Sequence, residues 1–192
     1  MEASLIYTCN IRGNLHLLPR MFTFIQSLRE GKPLLLDLGH SCDPEVWPCG
    51  ITQGRAALYV LDAMGYTAAN VQGVLTAESR AKLLDNVALA LVNDAHPHTH
   101  GALTFTTHPQ QQPTPQIILT PAESTHLENN VLRLAGVAQG ELGVVRVENG
   151  EIVAQSIHPL PAKTLPDATI TGAVDFVEAE ARYYEKRRHN PE

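Results

Sequence analysis

The sequence predicts an α/β fold, a layered mixed sheet with flanking helices that is reduced in its second half. Three observations predict it. Short apolar runs alternate with helical periodicities over residues 1–92. Two β-rich runs flank an Asn149-Gly150 pair further on. A last stretch with helical spacing follows a Pro-rich linker at 159–166. With 192 residues, 44% of them hydrophobic, the chain has material to bury roughly 70% of its unfolded surface.

Each element has its own signature. Residues 4–8 are apolar and run into a Gly-containing turn, as a buried strand does. Pro19 opens a helical pattern with Met21, Phe22, Ile25 and Leu28 on one face and Gly31 as its stop. Residues 33–37 give a second buried strand ending at Gly39, and 43–50, with Trp47, read as an irregular loop. Thr52 is placed to cap a helix carrying Ala57, Leu58, Leu61 and Met64, closed by Gly65. Residues 67–71 form a third strand, Thr76 caps a helix through Leu84, and 87–92 form a fourth strand. Strand and helix alternating in this way specify a mostly parallel sheet.

The second half changes character. Residues 102–107 alternate like a strand, 108–115 form a Gln/Pro-rich loop, and 117–119 and 130–134 are further strand candidates. Asn149-Gly150 between two β-rich runs predicts a hairpin at 143–157, because both turn residues must accept positive φ. Val174, Val177, Ala181 and Tyr184 then share one face of a C-terminal helix. The organisation is one domain over 1–192: a βα-repeat half over 1–92, a β-rich half over 93–158 and a helix over 167–189.

Composition excludes some roles. The formal charge of −6 argues against binding nucleic acid or an anionic membrane, both of which require a basic surface. The one concentrated positive run, Lys186-Arg187-Arg188, suits the last turn of a helix. The opening MEASLIYTCN lacks a basic segment followed by a long apolar one, so no signal peptide is read. No apolar run approaches the roughly 20 residues that span a bilayer. Cys9, Cys42 and Cys49 are odd in number and make a poor disulfide framework. Together these features point to the cytoplasm.

Five phrases, in order, resemble one family. Residues 8–13 read TCNIRG, 18–20 LPR, 36–40 LDLGH, 62–66 DAMGY and 69–72 ANVQ. They resemble the calcineurin-like metallophosphoesterases in their 5'-nucleotidase branch, whose corresponding phrases run T-N-D-I-H-G, L-P-R, L-D-x-G-D, A-L-G-Y-D and G-N-H-E. The likeness covers residues 4–76 well and 130–185 loosely, and rests on order and spacing because no motif is intact. It implies a layered phosphoesterase fold, shortened in its second half, and a nucleotide or phosphate ligand.

It also implies a degenerate metal site. The positions of the family's metal ligands and leaving-group histidine fall on Asn10, Arg12, His40, Asn70 and Val71. Of these only Asn70 keeps the family's ligand type. Two divalent ions need a bridging anion between them; neutral His40 is none, and the Arg12 guanidinium repels cations and has no lone pair to donate. The expected role is therefore a pseudoenzyme, a binding or scaffold domain without cofactor, with a metal-free phosphate or nucleotide pocket as a refinement. The alternative is a phosphoester hydrolase with one zinc or manganese ion held by His40, Asn70 and members of His96, His98 and His100. Those three histidines alternately read as a solvated loop before the strand at 102.

Other chemical readings are structural. Asp37 is taken as a framework residue; Cys42 and Cys49 as packing thiols; His126, His158 and His189 as ordinary surface or half-buried residues. The Trp47-Pro48 loop and the C-terminal helix offer surfaces to a protein partner or a second copy of the chain. No Walker loop, G-x-S-x-G or G-x-G-x-x-G occurs.

Overall fold

The computed structural model describes residues 1–189, with the side chain of His189 outside the described part. Four short strands follow one another in the first half: β1 (Ala3–Thr8), β2 (Leu34–Asp37), β3 (Ala68–Asn70) and β4 (Ala90–Val92). They lie side by side and parallel. Four α-helices fall between them: α1 (Leu18–Leu28), α2 (Cys49–Thr52), α3 (Arg55–Ala63) and α4 (Ala77–Leu84), with a 3-10 turn at Leu15–Leu17 leading into α1.

The second half supplies β5 (His98–His100), β6 (Leu103–Thr106), β7 (Gln116–Ala122), β8 (His126–Glu128) and β9 (Val131–Ala135). These form a separate mixed sheet in the order β5-β6-β7-β9-β8. The chain then returns to the first sheet with β10 (Glu141–Glu148) and β11 (Glu151–Pro159), giving the order β11-β10-β1-β2-β3-β4. The helix α5 (Ala168–His189) follows.

Period-2 alternation assigns the two faces of the first sheet. Ile6, Leu35 and Ala69 face a core shared with Leu18, Met21 and Ile25 of α1, Leu58 and Leu61 of α3, and Val174 and Val177 of α5. Their neighbours Leu5, Tyr7, Leu36 and Ala68 face the other way, against Phe105, Ile117, Leu119, Leu132 and Leu134 of the second sheet. The layers are therefore helices, sheet, sheet. A central sheet buried on both faces is why its strands read as continuous apolar runs.

Three sequence expectations are corrected. Thr52 ends α2 instead of capping α3, whose N-cap is Gly54. Its buried hydroxyl still accepts the Ala56 N–H at 3.2 Å while donating to the Pro48 carbonyl at 2.8 Å. Residues 98–100 are a strand and not a loop, because β6 pairs with them antiparallel, His98 opposite Phe105. Cys42 and Cys49 form a disulfide, and only Cys9 is free. An odd count excludes full pairing but not one bridge, so the cysteine argument for a cytoplasmic location falls away. Among the described residues, no helix is long and apolar enough to cross a membrane.

Thr76 caps α4 as expected, its side chain accepting the Ser79 N–H. Asn149 (φ 51°) and Gly150 (φ 80°) make the hairpin turn in the left-handed region, between β10 and β11 as their spacing predicts.

Candidate functional site

The loops after β1 and β2 continue the pairing of their strands. Leu38 N–H donates to the Thr8 carbonyl at 2.9 Å, Asn10 N–H to Gly39 at 3.1 Å, Arg12 N–H to His40 at 2.8 Å and Gly13 N–H to Ser41 at 2.9 Å. These bonds force an unusual backbone. Asn10, Arg12 and His40 sit at φ 60°, 52° and 56°, a left-handed conformation that costs a side-chain-bearing residue roughly 1–2 kcal/mol. Gly39, at φ 114°, is needed for a further reason: its missing Cβ leaves room for the Asn70 side chain, 3.3 Å away.

All four candidate positions thus lie at the carboxyl ends of adjacent parallel strands, but their side chains divide into two pairs. Asn10 and Asn70 hold the frame. Asn10 Nδ2 donates to the Val137 carbonyl at 3.0 Å. Asn70 Nδ2 donates to the Leu38 and Leu119 carbonyls at 3.3 and 3.1 Å, and its Oδ1 accepts Gln72 N–H at 2.9 Å. Asn70 thereby ties both sheets together. Arg12 and His40 are exposed, and their side chains have no hydrogen-bond or ion-pair partner among the described residues. They line one groove of about 360 Å³ with Asp43 and Gln72. Arg12 also lines an adjoining groove of about 470 Å³ with Asn14, Trp47 and Gln139.

Below the groove lies a buried polar chain. Tyr66 O–H donates to Thr8 Oγ1 at 3.2 Å, and Thr8 O–H donates to Asp37 Oδ1 at 3.0 Å. Gly39 N–H donates to Asp37 Oδ2 at 3.2 Å. Burial pushes the Asp37 carboxyl up to about 8, against the smaller lowering effect of the Thr8 and Gly39 bonds. Its neutral form is thereby favoured well above the usual carboxylate range. Burial first, and the nearby Asp37 second, push the Cys9 thiol up to about 11. Both Asp37 oxygens thus accept a hydrogen bond from a neighbouring group, and the raised value of Cys9 disfavours its nucleophilic thiolate form.

The histidine run stands apart. His96 Nδ1 is 2.8 Å from Asn93 Oδ1, and the rings of His98 and His100 stack on Phe105 at 6.4 and 6.2 Å between centroids. Among the described residues, no three His, Cys, Asp or Glu side chains converge as a metal site.

Sequence reasoning missed the wall opposite Arg12. The Cys42–Cys49 bridge sets the loop that presents Asp43 and Trp47, and the Arg182 guanidinium lies 5.4 Å above the Trp47 ring. Gln139 Nε2 donates to the Ile11 carbonyl at 2.7 Å, fixing the Arg12 loop from the other side. Two cysteines seven residues apart around Pro44 and Pro48 were the available signal.

No protein-family model matches the sequence, and no curated protein matches it. Solved structures do. A 5'-nucleotidase precursor from Thermus thermophilus aligns with a TM-score of 0.62 at 13% identity, over 98% of this chain and 59% of that one. The NAD nucleotidase of Haemophilus influenzae aligns with a TM-score of 0.62 at 9% identity, over 95% of this chain and 68% of that one. This chain thus spans less than two thirds of the Thermus protein. At such identities the likeness is one of fold, and the two mixed sheets with flanking helices are the nucleotidase-like fold that the resemblance implied.

Proposed function

We propose that this chain is a nucleotidase-fold binding domain that does not hydrolyse phosphoesters and that holds a phosphate-bearing ligand, such as a nucleotide, without metal. The observation that carries the reading is Arg12. Its backbone is locked in a left-handed turn against His40, and its guanidinium faces a groove with no protein partner among the described residues. A guanidinium there binds phosphate through paired, charge-assisted hydrogen bonds.

The residues present do not fit a dinuclear centre. Both asparagine side chains are engaged by the frame, the nearby Asp37 carboxyl is fully buried with both oxygens accepting hydrogen bonds from Thr8 and Gly39, and Arg12 adds positive charge where two dications would repel it. The groove's carboxylate, Asp43, already accepts the Glu45 N–H at 3.0 Å. None of the strand-end positions 10, 12, 40 and 70 carries a carboxylate that could bridge two ions and offset their repulsion. The ligand class is supported by the nucleotidases that share the fold.

The test combines metal analysis of untagged protein, phosphatase and nucleotidase assays with Mn²⁺, Zn²⁺ and Mg²⁺, and calorimetric titration of nucleoside monophosphates. The expected result is no turnover, together with binding that Arg12→Gln weakens roughly tenfold or more. Stoichiometric metal with turnover abolished by His40→Ala would overturn the reading.

A further inference from the structure

A second, basic groove lies where α3, α4 and α5 meet, and it shares no lining residue with the grooves at Arg12. It encloses about 340 Å³ and is lined by Gln53, Arg55, Lys82, Tyr184, Arg187 and Arg188, among others. None of its described lining residues is acidic, although the chain as a whole carries −6.

The four cations do not have equal explanations. Arg187 and Arg188 stand in the last turn of α5, where the partial negative end of the helix favours them. Lys82 is paired with Glu78 at 2.7 Å. Arg55 has neither advantage. It is the first residue of α3, the end at which the helix dipole is positive and disfavours a cation. It is only 7% exposed, and among the described residues no carboxylate lies within ion-pair distance of it. Its hydrogen bonds are two long ones from Nη1, to Ser79 Oγ at 3.3 Å and Gln53 Oε1 at 3.5 Å. Its guanidinium carbon also lies 5.9 Å from the centre of the Tyr184 ring. Nε and Nη2 have no protein acceptor among the described residues, and the side chain lines the groove. Its field reaches Glu78 without forming an ion pair, and a largely buried charge so weakly matched is costly.

We propose that this groove is an oxyanion site that takes the phosphate group of a small phosphate-bearing molecule. The free Nε and Nη2 edge of Arg55 offers two parallel donors to adjacent phosphate oxygens. Arg187 and Arg188 close over the anion from α5. The Tyr184 ring, beside Arg55, supplies a face for an aromatic group on the ester. Glu78 stays on Lys82, which leaves the three arginines to neutralise the ligand.

The test uses the full chain carrying Arg12→Gln, so that the other groove's binding is already weakened and the remaining heat reports chiefly on this one. Inorganic phosphate and phenyl phosphate are titrated calorimetrically, before and after adding Arg187→Gln with Arg188→Gln. Both of these residues are exposed, so the double change leaves the fold intact. The Arg12→Gln protein is expected to bind phosphate, and the double change to weaken it roughly tenfold or more. Arg55→Lys, which keeps the charge but loses the fork, weakens it as well. Phenyl phosphate binding more tightly than the free ion identifies an ester as the ligand; equal binding identifies the ion itself. Absence of heat up to roughly 10 mM ligand, or titrations unchanged by the double substitution, would overturn the proposal. Loss of binding in Arg12→Gln alone would count against this groove while leaving the first reading standing.

Discussion

A carboxyl group buried beside neutral donors keeps its proton well above its usual range, and Asp37 is held in this way by Thr8 and Gly39. Its folded value of about 8 lies above the unfolded 3.8. The folded state therefore binds the extra proton between these values, and stability present below about pH 4 is lost as pH rises through about 8. The loss amounts to the order of a few kcal/mol. Asp37→Asn, which has no proton to lose, should flatten the dependence of urea midpoint on pH over that window; an unchanged slope would clear Asp37 of the effect. Backbone strain gives a second prediction at this scale. His40 at φ 56° should gain about 0.5–1 kcal/mol on replacement by glycine, read as a higher denaturation midpoint. The same change should cost ligand affinity if the imidazole contacts the anion. Gly143 sits opposite Tyr7 in the register, and a methyl group there would fall within the Tyr7 ring. Gly143→Ala is expected to destabilise by about 1–3 kcal/mol or more.

At the scale of elements, local chemistry explains most starts and stops. The Thr76 side chain caps α4 because an extended residue (ψ 163°) aims its oxygen at the Ser79 N–H. Thr52 has the same residue type, but the preceding Pro48–Cys49 segment winds it into α2, and Gly54 takes the cap. β5 and β8 escaped notice in the sequence because HTH and HLE carry no apolar period. They are strands only because β6 and β9 offer them unpaired edges. The loop from Cys42 to Cys49 is closed covalently. Bridging so short a segment is worth about 2–3 kcal/mol in lost unfolded-state freedom. Cys42→Ser with Cys49→Ser should lower stability by that amount in chemical denaturation, and an equal stability would show that packing alone sets the loop.

At the scale of the whole molecule, the central sheet is the seam on which everything else is hung. Asn70 and Leu36 both mark the junction of the two sheets: Asn70 reaches the Leu119 carbonyl of β7, and Leu36 lies fully buried between the sheets. Leu36→Ala should cost about 2–5 kcal/mol, with both sheets losing protection together in hydrogen exchange. Independent loss in the second sheet would show that the layers unfold separately. The same layering explains the site. Parallel strands deliver all their following loops to one end of the sheet, so residues 10–12, 40 and 70, far apart in the chain, share one rim.

Sequence alone determined the elements whose cause is local: the helix periods, the Thr76 cap, the Asn149-Gly150 turn, and the order of phrases that led to Asn10, Arg12, His40 and Asn70. Each depends on residues a few positions apart. The tertiary structure alone decided which of the four remain free to meet a ligand. The Asn10 amide is taken by Val137, 127 positions away, and the Asn70 amide by Leu119, 49 positions away, while Arg12 and His40 are left facing the groove. The docking of the hairpin beside β1 and the pairing of Cys42 with Cys49 were decided in the same way. Propensity acts through neighbours in the chain, whereas a side chain's availability depends on what the packed core brings beside it.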